Sequence, residues 1–546
     1  MDKLTRVLVT GASGFIGRSV IDALKEDHII YAVARRSRKE AGIPYHKNIR
    51  WVQCDLSNPD TVQDMLNYLR EDEPVTFIIH LAAFYDFTYE DHPEYLRTNI
   101  NGTKNILEVA KELEVKRFIF SSSLAACKFP ENGDKVTETT PADAEFAYAK
   151  SKKEGEILVE SYSRYLPGTV LRFAAVFSDW CEYAPLYKFL LTWLGRRPDS
   201  RFIAGRGESG IPYIHISDVV SIIKTVLKNS ASLDSYCVFN ASPDGCVSHR
   251  ELYEIATSYH FGDKMRPLFV PKPIIYPGML IKKLLAAMKL WNVDSFEKFW
   301  MVKYIDKRLE VSSELTRRTL NWAPVPRNHI TRKLLFLIEK SKSHPAEWHI
   351  KNEAALTRVG KRTNLMIYET LSKNKESVIL QITDTIMSRY NDPLFQRYAK
   401  MNDEDFRCYV STLYHLLMAT VRSGDRSLMI QYIDQIAIRR YAEGFLPEEI
   451  RETLNVIKEI TLNRISNEPE LKGLKQTVYD YIGLTLQLAQ DEVEEQYERL
   501  ISQIPRDRIS DSSLLPDCKK LQQMIRQLSA FYQISPEKGE YYEDMR

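Results

Sequence analysis

The sequence predicts an α/β domain with a doubly wound parallel sheet, followed by an all-α helical bundle domain. From residue 5 to about 175, apolar strands alternate with helical segments, beginning with RVLVTG and SVIDALKE. Strands separated by helices pair in parallel through right-handed crossovers, and nearly all-apolar strands are typical of a sheet with helices on both faces. Beyond about residue 365 only helical periodicity remains, which indicates a separate bundle.

A chain of 546 residues is too long for one hydrophobic core, so several folded segments are expected. Aromatic residues and Pro-rich turns become frequent after residue 175, and a polar, basic stretch begins at residue 341 with SKSHPAEW. We expect a sheet domain (1–175), a pocket-forming, substrate-binding region that completes it (176–340), a linker (341–364), a helical bundle (365–500) and a tail with a short helix (501–546).

The bundle is predicted from apolar stripes at helical spacing. Two segments each place apolar residues at i, i+4 and i+7, so each presents one face for burial. Between them, Gly444 is suited to end one helix and Pro447 to begin the next. The spacing predicts roughly five or six helices. The two stripes are Met429, Ile433 and Ile436, and Ile450, Leu454 and Ile457.

The composition argues for small-molecule chemistry. The formal net charge of +2 provides no strong field for nucleic acid, so we expect no nucleic-acid partner. The 7 cysteines are scattered without a CxxC pair or a His/Cys ligand spacing, which predicts no metal site and favours a reducing compartment. The first residues lead directly into a strand without an export signal, so the expected location is the cytoplasm.

One apolar stretch, Pro277 to Trp291, bears on membrane contact. It is short and contains Lys282, Lys283 and Lys289, so it cannot span a bilayer, and we expect no transmembrane segment. The favoured interpretation is a helix that covers a substrate pocket or packs on the core. Contact with a membrane surface is the alternative.

A glycine-rich loop follows the first strand and leads into a helical segment. Its spacing is GxxGxxG, and such glycines let the backbone turn tightly and approach a pyrophosphate at the positive N-terminus of the helix. The loop therefore predicts a dinucleotide cofactor. The loop residues expected at the cofactor are Gly11, Ser13, Gly14, Phe15, Ile16 and Gly17.

The end of the second strand bears on the choice between NAD and NADP. An acidic side chain there binds the ribose 2′-hydroxyl, whereas arginines receive a 2′-phosphate. Here Arg35 takes the acidic position and Arg36 follows, so NADP is preferred, with NAD as the second choice and basic residues solvated on a loop as the alternative. Asp55 and Leu56 follow the third strand, where Asp55 would accept from the adenine amino group or, equally well, cap a loop.

A reaction centre is expected from three later segments. The fourth strand ends in HLAA, where Leu81, Ala82 and Ala83 would let the cofactor pass close to the backbone. A tyrosine with its usual pKa of about 10 is a poor base at neutral pH, so a nearby ammonium must favour phenolate character. Lys152 lies four residues after Tyr148 on the same helix face, and a hydroxyl of the serine run 121–123 would hold the substrate oxygen. This set predicts alcohol–ketone redox chemistry.

The ordered motifs TGASGFIG, HLAA, NINGT, FSSS and YAKSK resemble those of the extended short-chain dehydrogenase/reductase family, which includes NAD-dependent epimerases and dehydratases. The resemblance covers roughly residues 3 to 335. It implies a Rossmann domain, with Ser123, Tyr148 and Lys152 as the catalytic residues and Tyr148 and Lys152 also at the cofactor. It further implies that Asn99 lies at the cofactor site as the structural asparagine of the family.

The sequence departs from the sugar-nucleotide branch of that family. It has LAACKF after the serines and FAAVFS after Arg172, where that branch usually has VYG and a Pro/Asn pair. Aromatic residues occupy the pocket-forming loops and look closer to the hydroxysteroid and flavonoid reductase branches, although core packing is the alternative for each. These aromatic residues are Phe84, Tyr85, Phe87, Trp180 and Tyr183.

Three functions follow from these patterns. We favour an NAD(P)-dependent oxidoreductase that exchanges hydride with a hydrophobic hydroxy or keto substrate. A nucleotide-sugar epimerase or dehydratase is the alternative, and an NADP(H)-binding redox sensor that signals through the bundle is the second alternative. Residues 438–460 resemble the helical sensor domain at the N-terminus of stressosome co-antagonist proteins. This resemblance implies a ligand or protein partner for the bundle, or a homodimer; a purely stabilising bundle is equally expected.

Overall fold

The computed structural model describes residues 4–41, 43, 46–86, 91–131, 133–195, 198–263, 265–287, 299–357, 363–423 and 426–503. These residues form two compact units. The first contains the described residues within 1–41, 46–343 and 351–359, and the second contains those within 42–45, 344–350 and 360–546.

The strands of the first unit are β1 (Thr5–Thr10), β2 (His28–Ala34), β3 (Ile49–Gln53), β4 (Phe77–His80), β5 (Arg117–Ser123), β6 (Gly168–Phe173), β7 (Ala175–Phe177), β8 (Phe202–Ala204), β9 (Gly210–Ile211), β10 (Tyr213–His215), β11 (Tyr236–Ala241), β12 (Val247–Ser248) and β13 (Leu268–Val270). Seven of them form one sheet in the order β11-β6-β5-β4-β1-β2-β3, and every pair in it is parallel. The order reverses between β1 and β4, which is where an open α/β sheet leaves a crevice for a ligand. The predicted doubly wound parallel sheet is confirmed.

The described helices up to residue 343 are α1 (Phe15–Leu24), α2 (Arg38–Ala41), α3 (Pro59–Arg70), α4 (Gly102–Glu112), α5 (Ala147–Tyr162), α6 (Ala184–Trp193), α7 (Ile216–Asn229), α8 (His249–Phe261), α9 (Lys272–Ala287), α10 (Glu314–Leu320) and α11 (Ile330–Ser343). One face of the sheet packs on α3, α4 and α5. Leu8 of β1 joins that cluster, while its buried neighbours Val7 and Val9 point to the opposite face. Burial on both faces explains the nearly continuous apolar strands.

One glycine sets the distance between α5 and the sheet. A Cβ atom built on Gly155 would overlap the ring of Phe120 in β5. The helix therefore lies closer to the sheet than any larger residue would permit. This close approach determines the depth at which the first turns of α5 reach the end of β5.

Beyond α11 the described helices are α12 (Pro345–Thr357), α13 (Thr363–Met387), α14 (Gln396–Ala399), α15 (Asp403–Ser423), α16 (Ser427–Ala442), α17 (Pro447–Ser466), α18 (Lys475–Val478) and α19 (Leu484–Gln503). The helical C-terminal part is confirmed, and both predicted stripes are buried in its core. Gly444 adopts a left-handed φ of +82° after α16, and Pro447 is the first residue of α17, as their residue types favour.

Several predicted segments keep the status of predictions. The predicted linker 341–364 contains helix α12, and the domain bounds stay a prediction. Most of the predicted tail, from residue 504 onward, lies outside the described residues, as do Phe87 and the end of the apolar stretch at Trp291. Among the helices of the described residues, none is long and apolar enough to cross a membrane.

Candidate active site

The glycine-rich loop connects β1 to α1 and is open on its outer side. Gly11 has a left-handed φ of +69°, and a Cβ atom on it would lie 2.7 Å from the Ala82 amide nitrogen. Gly17 is buried, and a Cβ atom there would overlap the Gly11 carbonyl oxygen. Gly14 is exposed, and as the N-cap residue of α1 it supplies no side-chain cap to the first amides. Open amides at a helix N-terminus suit an anion such as a pyrophosphate.

The remaining loop residues expected at the cofactor are Ser13, Phe15 and Ile16, and all three are half-buried. The first turn of α1 carries no acidic side chain, so no negative charge opposes an anion there. The loop as built therefore fits the pyrophosphate of a dinucleotide.

A buried histidine holds the end of β4 against this loop. The amides of Leu81 and Ala82 both donate to Thr10 Oγ1 at 3.2 Å, which in turn lies 2.7 Å from His80 Nδ1. Thr10 therefore donates to His80, whose Nε2 donates to Thr103 Oγ1 at 2.9 Å. Burial lowers the pKa of His80 to about 3, so the ring is neutral.

Hydrogen-bonded side chains thus fix the backbone of the predicted HLAA segment. The HLAA motif by itself indicates no role for its histidine. The signal was present in the motif, but Thr10 and His80 are 70 residues apart, and only the parallel pairing of β1 and β4 brings them together.

Lys152 lies at the centre of the predicted reaction site. It is fully buried, and its ammonium donates to the Ser121 carbonyl oxygen at 2.6 Å. The ammonium is also 5.1 Å from the centroid of the Phe120 ring and 5.8 Å from that of Tyr148. Burial lowers the pKa of Lys152 to about 8, while the charge of Glu156 acts in the opposite direction. Tyr148 and Lys152 therefore lie on one face of α5, as their spacing predicts.

A buried ion pair lies one turn beyond Lys152. Arg172 makes two bonds to the Glu156 carboxylate, Nε to Oε1 at 3.0 Å and Nη2 to Oε2 at 2.7 Å. Ser122 Oγ donates to the same carboxylate, and Arg172 Nη1 donates to the Thr140 carbonyl oxygen at 2.6 Å. Both charged groups are buried, and their hydrogen-bonding atoms have partners, which is the condition for tolerating a buried ion pair.

The three serines at the end of β5 have different partners. Ser121 Oγ donates to the His80 carbonyl oxygen at 2.9 Å, and Ser122 donates to Glu156. Ser123 Oγ accepts from the Ala125 amide at 3.2 Å, and within the described part of the chain its own hydrogen has no acceptor. Ser123 is therefore the serine whose hydroxyl is left to bind a substrate oxygen.

Asn99 ties the segment after β4 to α5. Its Oδ1 accepts from the Phe84 amide at 2.6 Å, and its Nδ2 donates to the Phe84 carbonyl oxygen and to Ser151 Oγ, both at 2.9 Å. Ser151 in turn donates to the Tyr148 carbonyl oxygen at 2.7 Å. The three bonds of Asn99 support the backbone beside Tyr148.

The predicted adenine side of the site contains a network of opposite charges. Asp55 Oδ1 accepts from the amide and hydroxyl of Ser57 at 3.1 and 2.7 Å, and Oδ2 accepts from Arg97 at 3.1 Å. Against the effect of burial, these bonds and the charge of Arg97 lower the pKa of Asp55. Asp55 thus caps the loop after β3, and Leu56 is buried in the core beside α4.

Arg35 is paired in the same network. Its Nη1 lies 3.1 Å from Glu94 Oε2, and Glu94 also accepts from Arg97 at 2.5 Å and from Thr98 at 2.6 Å. The carbonyl oxygen of Arg36 accepts from the Trp51 indole at 3.1 Å. The Glu94 carboxylate beside Arg35 opposes the binding of a second negative charge there. The sequence does not indicate this pairing, because Glu94 is 59 residues away from Arg35.

The predicted pocket aromatics fall into two groups. Tyr85 packs on Tyr148 with ring centroids 4.4 Å apart, and Phe84 lies 5.1 Å from Tyr95. Ala83 lies directly before them and is exposed. Trp180 and Tyr183 belong to the turn after β7, where Trp180 is covered by the ammonium of Lys340 at 4.0 Å.

The turn that carries Trp180 is strained and clamped. Cys181 and Glu182 have left-handed φ angles of +74° and +52°, which cost energy for residues other than glycine. Asn352, which is fully buried, donates to the Trp180 carbonyl oxygen at 2.9 Å and accepts from the Glu182 amide at 2.8 Å. No sequence motif indicates that Asn352 binds this turn, because its partner Trp180 is 172 positions away.

A cavity of about 400 Å³ lies next to the N-terminus of α5. Phe146 stacks on Trp300 with centroids 6.2 Å apart, and it lies 6.5 Å from Tyr148. The cavity combines aromatic faces with two ammonium groups and the Glu145 carboxylate, so it offers stacking surfaces and a net positive charge to a planar ligand. The lining residues are Glu145, Phe146, Lys150, Trp300, Lys303 and Tyr304.

Comparison with known proteins connects this site to a family. Residues 7–242 match the family described as the NAD dependent epimerase/dehydratase family. The chain is 26% identical to dTDP-D-glucose 4,6-dehydratase of Bos taurus over 318 residues, which are 56% of this chain and 78% of that protein. It is 29% identical over 148 residues to a putative dihydroflavonol 4-reductase of Synechocystis sp., over 26% of this chain and 41% of that one.

Among solved structures, the chain is similar to UDP-glucose 4-epimerase from Thermotoga maritima with UDP-glucose. The TM-score is 0.47 at 21% identity, over 62% of this chain and 99% of that one. The motifs of the first unit, its parallel sheet and the family match agree over the same residues. Residues 7–242 of this chain therefore match the NAD dependent epimerase/dehydratase family, and the relatives are enzymes of the extended short-chain dehydrogenase/reductase type.

Proposed function

We propose that this chain is an NAD-dependent enzyme that exchanges hydride with the carbon of a hydroxyl or keto group, while Tyr148 transfers the hydroxyl proton. The observation that carries the proposal is the fully buried Lys152 ammonium, 5.8 Å from the centroid of the Tyr148 ring. A cation at this position stabilises phenolate character in the tyrosine beside it. The nicotinamide supplies or accepts the hydride when it is bound.

The chain's own residues take distinct parts in this step. Ser123 Oγ donates its hydrogen to the substrate oxygen, and Tyr148 donates or accepts the proton at that same oxygen. Lys152 stabilises the phenolate form of Tyr148, and its ammonium is itself positioned by a hydrogen bond to the Ser121 carbonyl oxygen. The His80 and Thr10 side chains keep the Leu81 and Ala82 backbone against Gly11, where the glycine loop would hold the pyrophosphate.

NAD is the cofactor we propose, in place of the NADP that Arg35 and Arg36 suggest by residue type. Glu94 supports this choice, because its carboxylate neutralises Arg35 and would repel a 2′-phosphate. The family description names NAD as well.

The substrate we propose is a nucleotide sugar, which the sequence analysis gives as the alternative to a hydrophobic hydroxy or keto compound. Support comes from a relative whose name is dTDP-D-glucose 4,6-dehydratase. The cavity at Phe146 adds a physical argument, since Lys150 and Lys303 outweigh the Glu145 carboxylate and complement phosphate charge. Trp300 in the same lining offers a face for a planar ring. Such an enzyme oxidises the sugar and then reduces it again, so the cofactor returns to its starting state.

A hydrophobic keto compound is the second candidate. It is favoured by the apolar surroundings of Tyr148, where Tyr85 and Phe146 contribute ring contacts. A relative named as a putative dihydroflavonol 4-reductase adds to this candidate. The redox-sensor alternative stays a prediction.

One experiment separates these functions. Purified full-length protein with NAD would be incubated with dTDP-glucose and UDP-glucose, and with NADH and a set of cyclic and aromatic ketones. A nucleotide-sugar enzyme forms product without net change in nicotinamide absorbance, whereas a ketone reductase consumes NADH in proportion to product. Tyr148→Phe should abolish either reaction. No turnover in any arm, or full activity of Tyr148→Phe, would overturn the proposal.

A further inference from the structure

The turn at residues 178–182, which we call the clamped turn, begins on the ligand-binding side of the sheet. β6 runs parallel to β5, so that Phe173 lies opposite Ser123 at the carboxyl ends of both strands. The chain then forms β7 and enters the clamped turn at Ser178. Because the carboxyl ends of parallel strands share one edge, this is also the edge at which β1 leads into the glycine loop.

Asn352 of α12 holds the clamped turn in a strained conformation. The left-handed φ angles of Cys181 (+74°) and Glu182 (+52°) are rare for residues other than glycine, and such angles persist only where surrounding contacts impose them. Within the turn, the backbones of Ser178 and Cys181 pair at 3.0 Å. Asn352 is completely buried and adds two bonds from another helix, to the Trp180 carbonyl oxygen at 2.9 Å and from the Glu182 amide at 2.8 Å.

The neighbours of Asn352 contact the same region. The Lys351 ammonium lies 4.2 Å from the centroid of the Trp180 ring, and the Glu353 carboxylate lies 3.7 Å from the Lys188 ammonium on α6. Three consecutive residues of α12 thus contact the clamped turn and the helix that follows it. All three lie beyond residues 7–242, so the family match does not cover them.

The clamped turn places a carboxylate within electrostatic reach of the glycine loop. Glu182 Oε2 accepts from Ser178 Oγ at 2.5 Å, so its direction is set within the turn itself. The charge of Glu182 also acts on Arg18, the residue directly after Gly17. The Arg18 amide donates to the Gly14 carbonyl oxygen at 3.1 Å, which fixes the start of this side chain at the first turn of α1.

The Arg18 guanidinium lacks a complete set of hydrogen bonds. Its Nε is buried, and among the described residues it has no hydrogen-bond partner. Burial lowers the pKa of Arg18 to about 10, whereas the charge of Glu182 opposes this shift. Buried N–H groups are nearly always bonded, so this one requires an acceptor. A phosphate group supplies several acceptor oxygens in a geometry that matches the fork of an arginine.

We propose that Asn352 is a positioning residue for cofactor binding. It fixes the clamped turn so that Glu182 keeps the Arg18 guanidinium beside the glycine loop, where Arg18 binds a phosphate of the dinucleotide. This inference rests on the proposed NAD-dependent function and adds Arg18 and Asn352 to the site. Neither residue is among those that the sequence predicts at the cofactor.

Fluorescence titration of the full-length protein with NADH tests the inference. Asn352→Ala removes both bonds to the clamped turn and Arg18→Gln removes the guanidinium, so each should raise the Kd for NADH about tenfold. Asn48→Ala is the matched control and should leave the Kd unchanged. Asn48 is also buried, and its Nδ2 donates to the Lys25 carbonyl oxygen at 2.8 Å, but it precedes β3 at the opposite edge of the sheet.

A double variant tests the route through Arg18. Because Asn352 acts on the cofactor through Arg18, Asn352→Ala should cause no further loss of NADH affinity in the Arg18→Gln background. A purely structural role of Asn352 predicts the opposite, since its loss would then add to that of Arg18. Circular dichroism confirms that each variant is folded, and Asn352→Ser provides the same measurement if Asn352→Ala does not fold.

The outcomes separate this inference from the proposed function. Wild-type NADH affinity in the folded Asn352 variant, or losses that add in the double variant, would overturn the inference and leave the proposed function standing. Failure of the wild type to bind NADH would refute the proposed function, and this inference with it.

Discussion

The Lys152 ammonium lies 5.8 Å from the centroid of the Tyr148 ring and is completely buried. Because the cation supports proton transfer by Tyr148, Lys152→Met and Tyr148→Phe should each lower kcat about 10²- to 10⁴-fold. Activity of the wild type should also fall as pH rises through about 8, the pKa to which burial lowers Lys152. Steady-state kinetics across pH provide the measurement. Lys153→Met, on the same helix, is the control and should keep wild-type kcat.

The same lysine should cost stability. Its pKa is lowered from 10.5 in the unfolded chain to about 8 in the folded one, so between these values the unfolded state binds more protons and the free energy of unfolding rises with pH. At pH 7 the buried charge is unfavourable, and Lys152→Met should raise the free energy of unfolding by about 1–2 kcal/mol. Urea unfolding at pH 7 checks this. A less stable variant would contradict it.

The Glu156–Arg172 pair should behave as one unit. Glu156→Gln leaves the Arg172 guanidinium buried without its counter-charge, and we expect a loss of about 3–5 kcal/mol in the free energy of unfolding. Adding Arg172→Met should recover a large part of that loss, because neither position 156 nor position 172 then carries a charge. A double-mutant cycle by urea unfolding measures the coupling. Losses that simply add in the double variant would exclude the coupling.

His80 should contribute to acid sensitivity. Burial lowers the pKa of its ring from 6.5 to about 3. The unfolded state therefore binds the proton first as pH falls below 6.5, and this group's contribution to stability is lost progressively down to about pH 3. The total loss from this group should be on the order of 5 kcal/mol. Unfolding midpoints measured between pH 7 and about pH 4 should decline less steeply in His80→Gln than in the wild type, and an equal decline in both would contradict this prediction.

Cofactor choice should respond to Glu94. Glu94→Gln frees Arg35 from its counter-ion and removes a negative charge, so the affinity for NADP relative to NAD should rise about tenfold. Fluorescence titration with both reduced cofactors measures the ratio. Asp91→Asn removes an exposed acidic charge nearby in the sequence and should leave the ratio as it is. An unchanged ratio in Glu94→Gln would show that Arg35 does not face the ribose.

Local patterns predicted much of the first unit. The alternation of apolar strands and helices led to the parallel sheet, and the four-residue spacing of Tyr148 and Lys152 placed them on one helix face. Both follow from periodicity, which depends only on neighbours along the chain. The apolar stripes at Met429 and Ile450 likewise predicted buried faces of the C-terminal helices, because burial is the main reason for such a stripe.

Those local patterns did not predict contacts between residues that are distant in the sequence. Arg35 as a residue type suggests a phosphate site, but its pairing with Glu94 depends on how the segment after β4 folds back. The role of Asn352 is of the same kind, since only folding brings it to the strained turn at Cys181.

The amino-acid chain alone specifies the order of strands and helices, the glycine loop between β1 and α1, and the residue types available for hydride chemistry. These features depend on backbone preference and on spacing along the chain, which are local. The pairing of charges and the burial of side chains are established only when the chain folds. Electrostatic pairing and desolvation depend on distance in space and on the surrounding medium, and parallel strand pairing joined residues as far apart as Thr10 and His80.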